Sequence, residues 1–193
     1  MSLVAIIRPG LTEFDEQDRI QGSLDLPLSE QGEAQMTQIV EQLRGQGIEQ
    51  IYTSPTDPAR ITAQRVGEAL GVPVKEIEGL ENVDHGLWQG LCVDEIKRKQ
   101  PKVFKQWQDS PGSVCPPEGE TCEDAFVRAC KGLRKPLKKK GAFAVVSAEP
   151  MASLIEAVVR GEAPRLPSPG RRNGRALVEL IERTPRNEAV GVD

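Results

Sequence analysis

The residues of this chain that can hold charge or move a proton gather at the ends of apolar runs. Leu3 to Ile7 is continuously apolar and delivers Arg8, which Pro9 and Gly10 follow at once. An arginine at the end of a buried strand needs an anionic partner. Two partners stay open: a bound anion, or an internal ion pair with Asp15. Arg19, Gln21 and Gly22 form a second polar group in the same loop, suited to lining the mouth of a site or to anchoring the loop itself. The one histidine, His85, lies in a Gly- and Trp-bearing loop. It can serve as base or nucleophile where geometry places it, and otherwise packs as a partly buried ring. Pro9 offers neither a nucleophile nor a backbone N–H.

Other chemistries find little support. Net charge is −4 over 193 residues, and Lys138-Lys139-Lys140 is the one concentrated basic stretch. That run suits a helix C-terminus, where cations meet the negative end of the dipole, and a nucleic-acid footprint is not expected. The cysteines Cys92, Cys115, Cys122 and Cys130 contain no CxxC pair, so no metal site is expected. They read as reduced, buried or half-buried thiols of a cytoplasmic protein. The N-terminal apolar run is too short for a signal peptide or a membrane span. No cofactor motif is present.

The elements that must position these residues follow from the pattern. Leu3–Ile7 is a continuous apolar run typical of a central strand covered on both faces, Ile48–Thr53 reads as a second strand, and 142–147 as another buried strand. A short strand is expected at Val74–Ile77, and Ala176–Glu182 reads as a last strand by alternation, though Leu177, Val178, Leu180 and Ile181 would also fit a helix face. Ser29 caps a helix that reaches Leu43, and Asp57-Pro58 opens a second that stops at Gly71. Short helices fit 92–108, a longer one runs to about Leu137, and another covers Glu149–Arg160. Residues 11–28 read as irregular. Strands alternating with helices make this an α/β three-layer sandwich, a mainly parallel central sheet flanked by helices, with residues 1–193 as one domain. Ligands in such sheets bind beyond the carboxyl ends of the strands. The loops after Ile7, Thr53 and Val146 should therefore converge.

Those loops carry ordered blocks. The first is Arg8-Pro9-Gly10-Leu11-Thr12, with Asp15, Arg19-Ile20-Gln21-Gly22, Asp25-Leu26-Pro27-Leu28-Ser29 and Gly32 behind it. The others are Thr53-Ser54-Pro55-Thr56-Asp57-Pro58-Ala59-Arg60-Ile61-Thr62-Ala63, Asn82-Val83-Asp84-His85-Gly86-Leu87-Trp88-Gln89-Gly90, Pro117-Glu118-Gly119-Glu120-Thr121 and Val145-Val146-Ser147-Ala148-Glu149. In type and order they resemble the phosphoglycerate mutase-like branch of the histidine phosphatase superfamily, and the resemblance implies that fold. It also implies phosphoryl transfer through a phosphohistidine. That route needs an imidazole nucleophile, a second histidine and arginines on the equatorial oxygens, and a carboxyl acid for the leaving group.

By the same resemblance the nucleophile position is Pro9 and the second histidine position is Ala148. The acid position is Asn82, and a second phosphate arginine is replaced by Pro58. Asp15 stands where the family has Asn. A mechanism with two histidines cannot run on a chain that has one. The expected function is thus a catalytically inactive pseudoenzyme acting in binding or regulation, with a small anion, a phosphorylated ligand or a protein as partner. The anion-binding candidates are Arg8, Asp15, Arg19, Gln21, Gly22 and His85. The alternative is a divergent phosphomonoesterase or phosphoryl-transfer enzyme using His85, Asp15 or Glu149. Monomer and homodimer both stay open. Other polar residues read as structural. Arg60 points away from the pocket, Trp88 anchors its loop, Ser54 caps the second helix, and Arg171, Arg172 and Arg175 form a solvated face.

Overall fold

The structure, a computed structural model, describes residues 2–169 and 176–183. Arg171, Arg172 and Arg175, read above as a solvated basic face, lie outside the described residues. The centre is a five-stranded sheet in the order β3-β2-β4-β1-β5. It comprises β1 (Ser2–Ile7), β2 (Ile48–Thr53), β3 (Val74–Glu76), β4 (Ala142–Val146) and β5 (Val178–Arg183). The first four run parallel and β5 is antiparallel to β1.

The apolar runs behave as expected for strands covered on both faces. In β1, Val4 and Ile6 point to one layer, while Ala5 and Ile7 point to the other. The first layer holds helices α6 (Cys122–Leu133) and α7 (Met151–Arg160), packed around Leu133, Leu154 and Ile155. The second holds α2 (Glu30–Leu43) and α3 (Ala59–Leu70), packed through Met36, Ile39, Leu43, Ala63 and Val66. Edge strand β5 buries Val178 in one layer and Ile181 in the other, and leaves Leu180 exposed.

Local signals set the element ends. The Ser29 hydroxyl accepts from the Gly32 N–H at the start of α2, as expected of an N-cap. Gly71 and Gly161 take left-handed backbone after α3 and α7. Three expectations need correction. The loop 11–28 contains a helical turn, α1 (Glu13–Glu16), because Thr12 and Asp15 form a reciprocal capping box. Ser54 does not cap α3; its hydroxyl meets that of Thr56, 2.8 Å away, in the preceding turn. Cys115 is exposed rather than buried, while Cys92, Cys122 and Cys130 are partly buried. Arg60 pairs with Asp57 and stays out of the pocket described below, and Trp88 is buried as a packing anchor.

A third, smaller core sits beside the sheet. Helices α4 (Val93–Lys99) and α5 (Pro101–Asp109) bury Ile96, Phe104 and Trp107 against Trp88 and Ile20. Trp88 and Trp107 are the two tryptophans of the chain, with ring centroids 5.1 Å apart. This cluster fixes the loops 11–28 and 79–91 against the carboxyl edge of the sheet. No helix among the described residues is long and apolar enough to cross a membrane.

Candidate functional site

The parallel pairing of β1 with β4 sets Ile7 beside Val146, and the Ser147 N–H donates to the Ile7 carbonyl. The Ser54 N–H donates to the Val146 carbonyl, which ties the β2 exit to the same place. The three loops therefore meet at the carboxyl ends of the central strands, as the α/β rule requires. A cavity of about 150 Å³ opens there, with Arg8, Pro9, Pro58, Ala148 and Glu149 on its floor and sides. Arg8, Asp15, Arg19, Gln21 and His85 all line it. Gly22 does not. Its carbonyl faces away to Asn82, and its left-handed backbone lies against the Gln89 side chain.

Arg8 meets carboxylates, but not Asp15. Its Nε donates to Glu149 Oε1 at 2.6 Å, while Nη2 and Nη1 lie 3.5 and 3.6 Å from Glu156 and Glu179. Nη1 also donates to the Ala176 carbonyl. Arg160 sits behind, on Glu156 at 3.0 Å and Glu179 at 2.6 Å. The physical reason is topological. Residues just past β1 lie beside residues just past β4, whereas the Asp15 carboxylate is turned back on Thr12 by the capping box of α1.

Glu149 is held from both sides. One carboxylate oxygen takes the Arg8 guanidinium. The other accepts from the Ser153 hydroxyl at 2.7 Å and the Ser153 N–H at 3.3 Å. Ser153 lies in the first turn of α7, where unpaired N–H groups and the helix dipole favour an anion. A strand-end arginine and a helix N-terminus thus grip a carboxylate belonging to the chain itself. The guanidinium is about nine-tenths shielded, and the Glu149 side chain nearly so. Sequence reasoning named Glu149 only as a candidate acid or base. The spacing of Glu149, Ser153, Glu156 and Arg160, four, three and four residues apart, carried the missed signal: these positions share one helix face.

Asn82, buried at 4 % exposure, is saturated by backbone. Its amide nitrogen donates to the Gly22 and Glu149 carbonyls, both at 2.9 Å. Its oxygen accepts from the Val83 and Met151 N–H groups at 2.9 and 3.2 Å. The side chain has two donors and two strong acceptor sites, and all are used. It brackets the loop 11–28, the loop 79–91 and the start of α7 together. Gly10 and Gly32 make a second bracket, since a side chain on either would run into the other loop's backbone.

His85 lies against Trp107, with centroids 6.5 Å apart, and its Nδ1 is 3.1 Å from the Val83 carbonyl. That contact places the proton of the neutral ring on Nδ1 and leaves the lone pair on Nε2. Burial pushes its pKa below the ordinary value of 6.5, against the Val83 carbonyl and the charges of Asp84 and Glu120, which raise it. The unfolded chain therefore binds this proton first on acidification. Stability is lost as pH falls below about 6.5, until the folded ring also protonates. His85→Gln is expected to flatten the dependence of melting temperature on pH between about 7 and 5. A profile that runs parallel to the parent protein's would show that the ring does not carry this term.

Arg19 directs two of its five N–H donors to protein, Nη1 to the Gly90 carbonyl at 2.8 Å and Nε to Gln17. Among the described residues, no cluster of His, Cys, Asp and Glu is arranged to hold a metal.

The sequence profile of the histidine phosphatase superfamily (branch 1) matches residues 4–187. The chain belongs to this superfamily. Its relatives include phosphoserine phosphatase 1 of Hydrogenobacter thermophilus, 30 % identical over 72 % of this chain and 66 % of that protein. A probable phosphoglycerate mutase GpmB of Serratia proteamaculans is 31 % identical over 69 % of this chain and 62 % of the other. A bifunctional protein of Mycobacterium tuberculosis is 33 % identical over 66 % of this chain, which spans only 35 % of that longer protein. The chain thus covers from about a third to two thirds of these curated relatives. Among solved structures, Bacillus stearothermophilus YhfR superposes with a TM-score of 0.79 at 23 % identity, over 96 % of this chain and 93 % of that one. A mycobacterial glucosyl-3-phosphoglycerate phosphatase in complex with inorganic phosphate gives 0.72 at 26 % identity, over 84 % and 80 %. The fold of the superfamily is the one described above.

Proposed function

We propose that this superfamily member has no phosphohistidine chemistry and works as a binding or regulatory module. The observation that carries this reading is the Glu149 carboxylate on Arg8 and at the start of α7. The strand-end arginine and the helix N-terminus are the groups an anion would use, and the chain supplies that anion itself. The substitutions agree with it. Pro9 has no nucleophilic atom, Ala148 has no donor, Pro58 has no charge, and Asn82 is an amide with every hydrogen-bonding position taken by backbone. Removing one donor or acid from such a site typically costs a factor of about 10² to 10⁴ in rate. Loss of the nucleophile ends the covalent route outright.

A second reading has one observation in its favour. His85 lines the same cavity as Arg8, and its Nε2 keeps the lone pair. A divergent phosphomonoesterase built on His85 would follow, and several relatives carry phosphatase names. Incubation with 1-naphthyl phosphate separates the two. The binding-module reading expects release of 1-naphthol no faster than in protein-free buffer, and no release by Pro9→His, because Arg8 stays bound to Glu149. Turnover by the parent protein that disappears in His85→Ala would overturn that reading and establish the second.

A further inference from the structure

The cavity's walls differ in kind from its floor. The floor is the Arg8–Glu149 pair, both partners spoken for. The walls are mainly apolar, with Leu11 and Ile20 from the first loop, Trp107 from α5, and Leu166 and Pro167 from the segment after α7, beside the polar Asp15, Asp18, Arg19, Gln21 and His85. The chain is only 4 % aromatic, yet both tryptophans and Phe104 meet in the cluster behind this wall, the tryptophan rings tilted and Phe104 edge-on to Trp107. Trp107 reaches the cavity while Trp88 backs it.

From this we infer that the pocket accepts an uncharged, ring-sized apolar group and rejects a phosphate. The inference rests on the binding-module reading above and names the ligand class of that same site. Three observations carry it. The volume of about 150 Å³ equals that of engineered apolar cavities that take up benzene. The wall includes the Trp107 indole and a proline ring, surfaces against which a flat ring gains contact without hydrogen bonds. At the floor, a phosphate dianion would meet the Glu149 carboxylate. Arg8 at the floor already donates to Glu149, and Arg19 at the wall directs two of its five N–H donors to Gly90 and Gln17. A charged ligand at the floor would lose its hydration beside a carboxylate that already holds the Arg8 Nε–H.

The test compares 1-naphthol with 1-naphthyl phosphate by calorimetric titration of the full chain. Alongside, the two tryptophan indole N–H signals are followed by NMR and assigned with Trp107→Phe. Naphthol should bind at least tenfold more tightly than its phosphate ester and should move the Trp107 signal more than that of Trp88. Pro167→Asp, at the partly exposed lip, should weaken naphthol binding about fivefold by removing apolar contact. If the ester binds as tightly as naphthol or more so, without being hydrolysed, the ligand class is wrong and the binding-module reading stands. If the ester is hydrolysed in a manner lost with His85→Ala, the binding-module reading itself fails. Absence of naphthol binding up to millimolar concentration, or binding that leaves the Trp107 signal unmoved, overturns the inference.

Discussion

Arg8→Met should destabilise the fold by about 3–5 kcal/mol, as expected when one partner of a buried ion pair is removed. The replacement keeps a long apolar stem, so the β1 end still packs, and the loss reports charge. Three carboxylates, Glu149, Glu156 and Glu179, surround the guanidinium. Without it, Arg160 remains on Glu156 and Glu179, and Glu149 loses its 2.6 Å contact. For a domain of this size the melting temperature should fall by roughly 10 °C or more. Glu149→Gln is the milder companion, because the amide keeps the shape and its one carbonyl oxygen can still accept either from Arg8 or from Ser153, though not from both. It should lose less than Arg8→Met in urea unfolding, because the guanidinium keeps Glu156 and Glu179. If Arg8→Met melts within about 2 °C of the parent protein, the guanidinium is a bystander. The claim that the chain fills its own anion seat would then lose its energetic basis.

The position of that seat was legible in the sequence, but its occupant was not. Apolar runs at Leu3–Ile7 and 142–147 are long enough to name central strands, and parallel strands put their exits at one edge. Two readings of Arg8 follow, an external anion or Asp15, which places a negative charge in the same loop where the resembled family has Asn. Sequence proximity misled here because Asp15 has a stronger local use. A carboxylate three residues after Thr12 closes a capping box and is turned away. Glu149, far away along the chain, is brought close by the β1–β4 pairing, which is a property of strand order. Strand order is set by packing across both faces of the sheet, and one chain's pattern of apolar residues does not encode it directly. The satellite core around Trp88 and Trp107 was hidden for a related reason. Short helices such as Val93–Lys99 and Pro101–Asp109 show where they lie along the chain, not which loop they wall.

Asn82 is the clearest case of a residue whose type was read correctly and whose work was not. By resemblance it marks a lost acid. In the structure it is a tie between three segments, and Asn82→Ala should cost about 3 kcal/mol, since two carbonyls and two N–H groups lose their partner in a closed site. Asn82→Asp discriminates further. A carboxylate would direct oxygen at the Gly22 and Glu149 carbonyls where the amide donated, and burial adds to the disfavour of the charged form. The pKa of that new carboxyl should therefore rise above its unfolded value. Protonation restores one donor. The stability this variant retains is therefore present below the unfolded value of about 3.9 and is lost as pH rises through the folded one. Chemical unfolding at several pH values should show the Asn82→Asp deficit, measured against the parent protein, shrinking in acid, while that of Asn82→Ala stays constant. Equal and pH-independent deficits would mean that the two carbonyls find water instead. Asn82 would then fill space rather than hold the loops that frame the cavity.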